Sequence, residues 1–414
     1  MNINWQDFFA RRTERVTGSQ IRQFFALTER PEVISFAGGF PDNEFFPRED
    51  LARTMASLVK EDARQALQYG PTEGIYELRV FLSGKMRQAG ARCEIGNLII
   101  TNGSQQGIDL LSRVLVNPGD PVLVEEPAYI GGMGAIKSYG GVTNGIEMDE
   151  EGPRPESMVK TLEKLIARGL KPKFFYTVPN FQNPTGTTTS LERRIKILEI
   201  ASRYDLLVVE DDPYGELAYD GTVPPSYYTL DREQRVVFLG SYSKVLIPGI
   251  RIGWMAGAET LLEKVILIKQ TTDLCSSSIG QRLAYRLSHD GYVNRHIERL
   301  CDLYRQKRNG MLEAMQQYFP PSVKFSRPGG GFFTWVTFPD NYPTSRELLE
   351  MALERKVAFV HGIGFYSNGG GSHTARFSFS QPGLDDITTG IRIFGEMLWE
   401  IESELNKNRP AVNQ

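Results

Sequence analysis

Between about residue 97 and residue 257, short β-branched and aromatic runs alternate with stretches whose apolar positions recur every three to four residues. The runs Asn97–Thr101 (NLIIT), Pro121–Val124 (PVLV), Phe174–Val178 (FFYTV), Leu206–Glu210 (LLVVE) and Val236–Gly240 (VVFLG) predict strands. Helices are predicted between them, over Gln105–Val116, Glu156–Ala167 and Leu191–Tyr204. In the last, Leu191, Ile195, Leu198 and Ala201 fall on one side and give one apolar face. Strands alternating with helices imply βαβ units, hence an α/β fold with a mainly parallel sheet and helices on both faces. Such sheets bind ligands beyond the carboxyl ends of their strands, so the residues that follow each strand carry the functional reading.

After about residue 290 the texture changes. A long helical stretch, Tyr292–Tyr318, precedes the Gly-rich PGGGFFTWVTF (328–338), a helix near 344–355 and strands at 357–360 and 375–379. This predicts a smaller α+β domain. The first fifty residues are too short for a domain and are expected to pack against it and the active site. The expected division is therefore 1–50, 51–290 and 291–414, in keeping with 414 residues at roughly 100–200 per domain.

Composition narrows the function. The net charge of −3 gives no basic excess to hold a phosphate backbone, so nucleic acid is not favoured. The N-terminal MNINWQDFFARRTERV lacks the apolar core of a signal peptide, and no apolar run approaches the ~20 residues that cross a bilayer. Cys93, Cys275 and Cys301 are widely separated and form no Cys-x-x-Cys pair, which points to reduced thiols. A soluble, cytoplasmic protein with no membrane contact is expected.

After the first strand comes Gly103-Ser104-Gln105-Gln106. Ser104 is a good N-cap, and the free N–H groups of a helix start favour an anion, although a plain cap explains the same residues. Tyr129 follows PVLVEEP, where an aromatic could stack on a flat ring or simply pack. PNFQNPTG (179–186) forces a turn that aims the Asn183 amide into a cleft. Asp211 and Tyr214 follow LLVVE; the four histidines show no ligand spacing, so no metal site is expected. Ser241, Ser243 and Lys244 follow VVFLG, with Arg251 seven residues beyond Lys244. Lys244 lies between β-rich runs, where burial lowers an amine's pKa as imine formation requires.

In this order, GSQQG, the EEPAY tyrosine, PNFQNPTG, EDDPY, SYSK with Arg251, PGGGFFTW and ARFSFS resemble the class I/II aminotransferases of fold-type I, which use pyridoxal 5'-phosphate (PLP). The resemblance runs from about residue 18 to 385. It implies a large PLP-binding domain and a smaller domain, with Lys244 forming the imine with PLP and shuttling a proton at the substrate Cα. Asp211 would pair with the pyridine nitrogen, Tyr214 and Asn183 with the ring O3', and Tyr129 would stack on the ring. Ser104, Gln105, Ser241, Ser243 and Arg251 would hold the phosphate, and Arg376 the substrate α-carboxylate. Tyr69 would reach a neighbour's phosphate across a homodimer with shared active sites.

The stretch 18–47 resembles the 2-aminoadipate, kynurenine and aromatic aminotransferase branch. There Gly38 and Gly39 would line the pocket, and Arg22 would read an acidic side chain or merely solvate a helix. His361 stands where relatives often carry proline, and packing at the domain edge is its expected role. The implied reaction moves an amino group between an L-amino acid (2-aminoadipate, glutamate, aromatic or aliphatic) and a 2-oxo acid such as 2-oxoglutarate. A PLP-dependent β-lyase or decarboxylase on the same scaffold is the alternative. A transcription regulator would need a DNA-binding domain before residue 18, and no helix-turn-helix precedes it.

Overall fold

The computed structural model describes residues 3–15 and 32–407. An eight-stranded sheet runs in the order Leu98–Thr101, Gly253–Ala256, Val236–Ser241, Leu207–Asp212, Phe174–Thr177, Pro121–Glu126, Val142–Asp149 and Gly152–Pro153. The five strands from Val236–Ser241 to Val142–Asp149 pair in parallel. Gly253–Ala256 is antiparallel to both its neighbours, and Gly152–Pro153 closes the other edge antiparallel. Central strands such as Phe174–Thr177 are buried along their whole length, as a sheet covered on both faces requires.

All five predicted strands form, and two ends shift in a way that matters. The Leu207–Asp212 and Val236–Ser241 strands run further than expected, so Asp211 and Ser241 are strand residues with fixed backbone. Val142–Asp149 was not predicted. Its VTNGIEMD is only half-buried and mixes Gly and Asn among apolar residues, which masks the period-two signal.

The helix expected over Leu191–Tyr204 spans Leu191–Arg203, but only half of the expected apolar face is covered, Ala201 fully and Leu198 in part. Leu191 and Ile195 are 42% and 43% exposed, whereas Arg194, Ile197, Ile200 and Ala201 turn inward. The cause is Arg194. Its guanidinium donates to the carbonyls of Thr189, Pro179, Pro224 and Pro225 and to Asn180 Oδ1, with Glu210 at 3.9 Å. Those bonds tie down both ends of the 179–190 turn and offset the cost of burying the charge, rotating the apolar stripe away from its sequence position.

The second sheet is antiparallel, in the order Lys324–Phe325, Phe333–Thr337, Thr374–Ser378 and Val360–His361. The helix Tyr292–Tyr318 has the predicted span, and Ser345–Glu354 begins with a capping box of Thr344 and Glu347. Val357–Ala358 pairs in parallel with Ile34–Ser35 from the N-terminal segment. Phe36 continues that contact: its N–H donates to Ala358 O at 2.7 Å and its carbonyl accepts from Ser378 N at 2.8 Å. The backbone from Ala37 to Phe40 is thereby carried towards the carboxyl edge of the large sheet.

Candidate active site

A cavity of about 300 Å³ opens at the carboxyl ends of the parallel strands. Ser104, Gln105, Tyr129, Asn183, Asp211, Tyr214, Ser241, Ser243, Lys244 and Arg251 face it from the large sheet. Arg376 faces it from the strand Thr374–Ser378, and Gly38 and Gly39 from the N-terminal segment. Tyr69 does not line it; its ring is 78% exposed on the surface of the chain. Arg22 lies outside the described residues. His361 is buried, is paired in the small sheet with Ala375, and does not line the cavity.

Lys244 and Asp211 form the electrostatic centre. Lys244 Nζ donates to Gly39 O at 2.8 Å and lies 5.8 Å from the centre of the Phe332 ring. Burial, reinforced by the Arg376 and Arg251 charges, lowers its pKa from 10.5 to about 8. Solvent still reaches part of the side chain, because it opens on the cavity; the many protein atoms packed round it account for the shift. Asp211 is 2% exposed and its pKa is pushed up to about 7 by burial. Tyr176 Oη donates to Asp211 Oδ2 at 2.8 Å, while Oδ1 has no hydrogen-bond partner among the described residues. A buried, unpaired carboxylate oxygen is costly unless a donor arrives to meet it.

A second group of residues suits an anion. Ser241 Oγ donates to Ser243 Oγ at 2.9 Å, and Arg251 Nη1 reaches Ser243 Oγ at 3.3 Å. Arg251 Nη2 donates to Asn102 O at 3.3 Å, passing so close to Gly103 that a Cβ there would stand 2.6 Å from it. Gly103 also has φ +74°, so glycine serves both the turn and the approach. The helix behind this group spans Gly103–Leu115, starting two residues earlier than expected. Ser104 is therefore not the N-cap; Asn102 holds that place, because the Gln106 side chain reaches back to accept from Asn102 N at 2.8 Å. Ser104 remains in the first turn, where N–H groups are free for an anion.

Arg376, 8% exposed, closes the far side. Its Nη1 donates to Asn183 Oδ1 at 2.9 Å and its Nη2 to Ala37 O at 2.7 Å, and Nε has no partner among the described residues. The guanidinium lies 4.3 Å from the Phe333 ring centre and 5.3 Å from that of Phe365. A Cβ at Gly39 would fall 2.8 Å from the Phe333 ring, so only glycine lets the N-terminal segment cross here. Tyr214 stands edge-on to Phe332 and Phe333.

The model of the family described as aminotransferase class I and II matches residues 31–389 of this chain. The chain belongs to the class I and II aminotransferases. It is 37% identical over 402 residues to aromatic-amino-acid aminotransferase 1 of Thermococcus litoralis, covering 96% of this chain and 95% of that protein. The kynurenine aminotransferase of Pyrococcus horikoshii, solved with PMP, is 39% identical, with TM-score 0.92 over 96% of this chain and 98% of the other. The α-aminoadipate aminotransferase of Thermus thermophilus, solved with N-(5'-phosphopyridoxyl)-L-leucine, is 36% identical, with TM-score 0.88 over 97% and 100%. The aminotransferase thus has the fold-type I architecture and is PLP-dependent.

Its own residues fit that cofactor. Asp211 Oδ1 offers a buried, unpaired acceptor for a ring N–H, Lys244 an amine poised near neutrality, and the serine–arginine group an anion cradle. Several residues in and behind the cavity carried no legible signal. Tyr176 sits in a strand buried at every position, where periodicity cannot say which side chain faces the site. Phe40, Ile130 and Phe365 line the cavity but look like ordinary core residues in the sequence. Glu125 did carry a signal, as an acid ending an apolar strand. It is 1% exposed and accepts from Gln182 Nε2 and Val178 N.

Proposed function

We propose that this aminotransferase exchanges an amino group between an L-amino acid with a large aromatic or aliphatic side chain and a 2-oxo acid, with 2-oxoglutarate as the usual acceptor, in alternating half-reactions at one site. The observation that carries the substrate class is the apolar lining of the cavity that holds Lys244 and Arg376. Among the described lining residues, Phe40, Ile130, Val178, Pro213, Phe333 and Phe365 make it apolar, while the cations are Lys244, Arg251 and Arg376. Relatives named for aromatic amino acids and kynurenine, and the phosphopyridoxyl-L-leucine held by the α-aminoadipate aminotransferase, support the same class. Acidic donors such as 2-aminoadipate or glutamate would call on Arg22 for the distal carboxylate.

When bound, PLP supplies the electron sink that makes the bonds at the substrate Cα labile. The chain's residues do the rest. Lys244 would hold the cofactor and would take and return the substrate Cα proton; a pKa lowered to about 8 suits both directions. Asp211 Oδ1 would accept from the ring nitrogen, Tyr214 and Asn183 would tune the ring oxygen, and Tyr129 would cover the ring. Ser104, Gln105, Ser241, Ser243 and Arg251 would bind the phosphate. Arg376, preset by Asn183 and Ala37, orients the α-carboxylate and excludes water from that end.

The proposed assembly is a homodimer in which Tyr69 completes the neighbour's phosphate site. Leu67, Tyr69 and Tyr76 are exposed by 60%, 78% and 67%, which suits cover by a second copy. The proposed domain limits are 1–50, 51–290 and 291–414, and the proposed location is the cytoplasm. No helix among the described residues is long and apolar enough to cross a membrane.

The test is an absorbance titration of the yellow holoenzyme with phenylalanine, kynurenine, leucine, 2-aminoadipate, glutamate and alanine, with no oxo acid present. Loss of the yellow band fastest with phenylalanine, kynurenine or leucine supports the apolar class. Glutamate and 2-aminoadipate reacting while the apolar donors do not would overturn it.

A further inference from the structure

Behind the phosphate-binding turn lies an ion pair that none of the roles above uses. Lys269, fully buried near the end of the helix Glu259–Thr272, donates to Asp273 Oδ1 at 2.8 Å and Oδ2 at 2.9 Å. Asp273 follows that helix directly and is 19% exposed. Its Oδ2 also accepts from Asn102 Nδ2 at 2.7 Å and Gln106 Nε2 at 2.6 Å. Gln106 Oε1 in turn accepts from Asn102 N at 2.8 Å, which closes a ring of hydrogen bonds round the turn Asn102–Gln106.

That ring brackets the free N–H groups at the start of the helix Gly103–Leu115. It also fixes the Asn102 carbonyl, which accepts from Arg251 Nη2 and so sets the direction of the guanidinium across Gly103. A bare carboxylate beside an anion site would repel the anion. The ammonium of Lys269 compensates that charge, and Oδ2 holds two amides beside it. A buried pair with every contact directed at one turn restricts that turn to a single geometry.

We propose that Asp273, compensated by Lys269, is a positioning residue for the phosphate of the cofactor, holding the Asn102–Gln106 turn and Arg251 in their anion-binding arrangement. The inference rests on the reading of Ser104, Gln105, Ser241, Ser243 and Arg251 as the phosphate site. It predicts a defect specific to the phosphate group, not to the ring.

The experiment compares the affinity of the full-length protein for PLP with its affinity for pyridoxal, which lacks the phosphate, by fluorescence titration. The variants are D273A/K269M, which removes both charges so that none is left buried alone, and the milder N102A, which cuts only one bond of the ring. R251A serves as reference. The expected result is a loss of PLP affinity of roughly tenfold or more in D273A/K269M and a smaller loss in N102A, with pyridoxal affinity held within about twofold. Equal losses for both ligands, or no loss in either clamp variant while R251A loses its preference for PLP, would overturn the proposal. If R251A itself keeps the full preference for PLP, the phosphate site is elsewhere and the inference falls with that reading.

Discussion

Replacing Arg376 with lysine tests whether the cavity grips its substrate through a planar fork. Lysine keeps the charge but offers one ammonium where the guanidinium now meets Asn183 Oδ1 and Ala37 O with two separate nitrogens. A carboxylate bound by two parallel N–H groups would keep one. One charge-assisted hydrogen bond is worth about 1.5–3 kcal/mol, so kcat/KM for an amino acid should fall roughly 10- to 150-fold. The assay is single-turnover loss of the yellow absorbance with phenylalanine and, separately, with 2-phenylethylamine, which has the same ring but no carboxylate. R376K should slow phenylalanine by that factor and leave the amine within about twofold. Equal losses with both, or a loss under about threefold with phenylalanine, would refute the argument that Arg376 reads a carboxylate.

Other outcomes follow from the same geometry. Covalent capture of PLP by cofactor-free protein needs the neutral Lys244 amine, so its rate should rise with pH through about 8 and then level off. Because that pKa lies below the usual 10.5, the native protein binds fewer protons there than the unfolded chain, and the cofactor-free protein should gain stability from pH 8 to 10.5. R251A removes one of the lowering charges and should move the capture midpoint upward; an unmoved midpoint would leave burial and the Arg376 charge as the causes. Y176F deletes the donor to Asp211 Oδ2 and should raise the Asp211 pKa above about 7 by a further ~1–2 units. With a raised folded-state pKa, stability falls as pH climbs from 3.8 towards 7, and in Y176F that fall should extend to higher pH; identical pH profiles of denaturant midpoints would count against it. R194L removes a fully buried guanidinium and leaves Glu210 without its cation. It should cost about 3–5 kcal/mol by denaturant unfolding, whereas a cost below about 1 kcal/mol would show that the 179–190 turn holds itself.

Periodicity and turn chemistry made the large sheet's strands legible, together with the helices between them and the long Tyr292–Tyr318 helix. A strand covered on both faces must be apolar throughout, and its neighbours must be polar where they meet water. The order of GSQQG, EEPAY, PNFQNPTG, EDDPY and SYSK placed Lys244, Asp211, Asn183, Tyr129 and Arg251 after successive strand ends, and the fold brings those ends to one cavity. What sequence by itself determined, then, was the local conformation and the identity of residues at strand ends, because both depend on neighbours a few positions away.

Only the tertiary structure decided how residues far apart complete one another. Arg194 is inward although its apolar neighbours Leu191 and Ile195 are not, because the carbonyls that satisfy it come from two separate segments, the 179–190 turn and Pro224–Pro225. Tyr176 meets Asp211, and Asp273 meets Asn102 across 171 positions, through hydrogen bonds that no spacing rule encodes. The pKa values of Lys244 and Asp211 are likewise set by burial and by charges from other segments, Arg376 among them. A hydrogen bond or a desolvation cost depends on distance in space, and only packing converts the order of motifs into those distances.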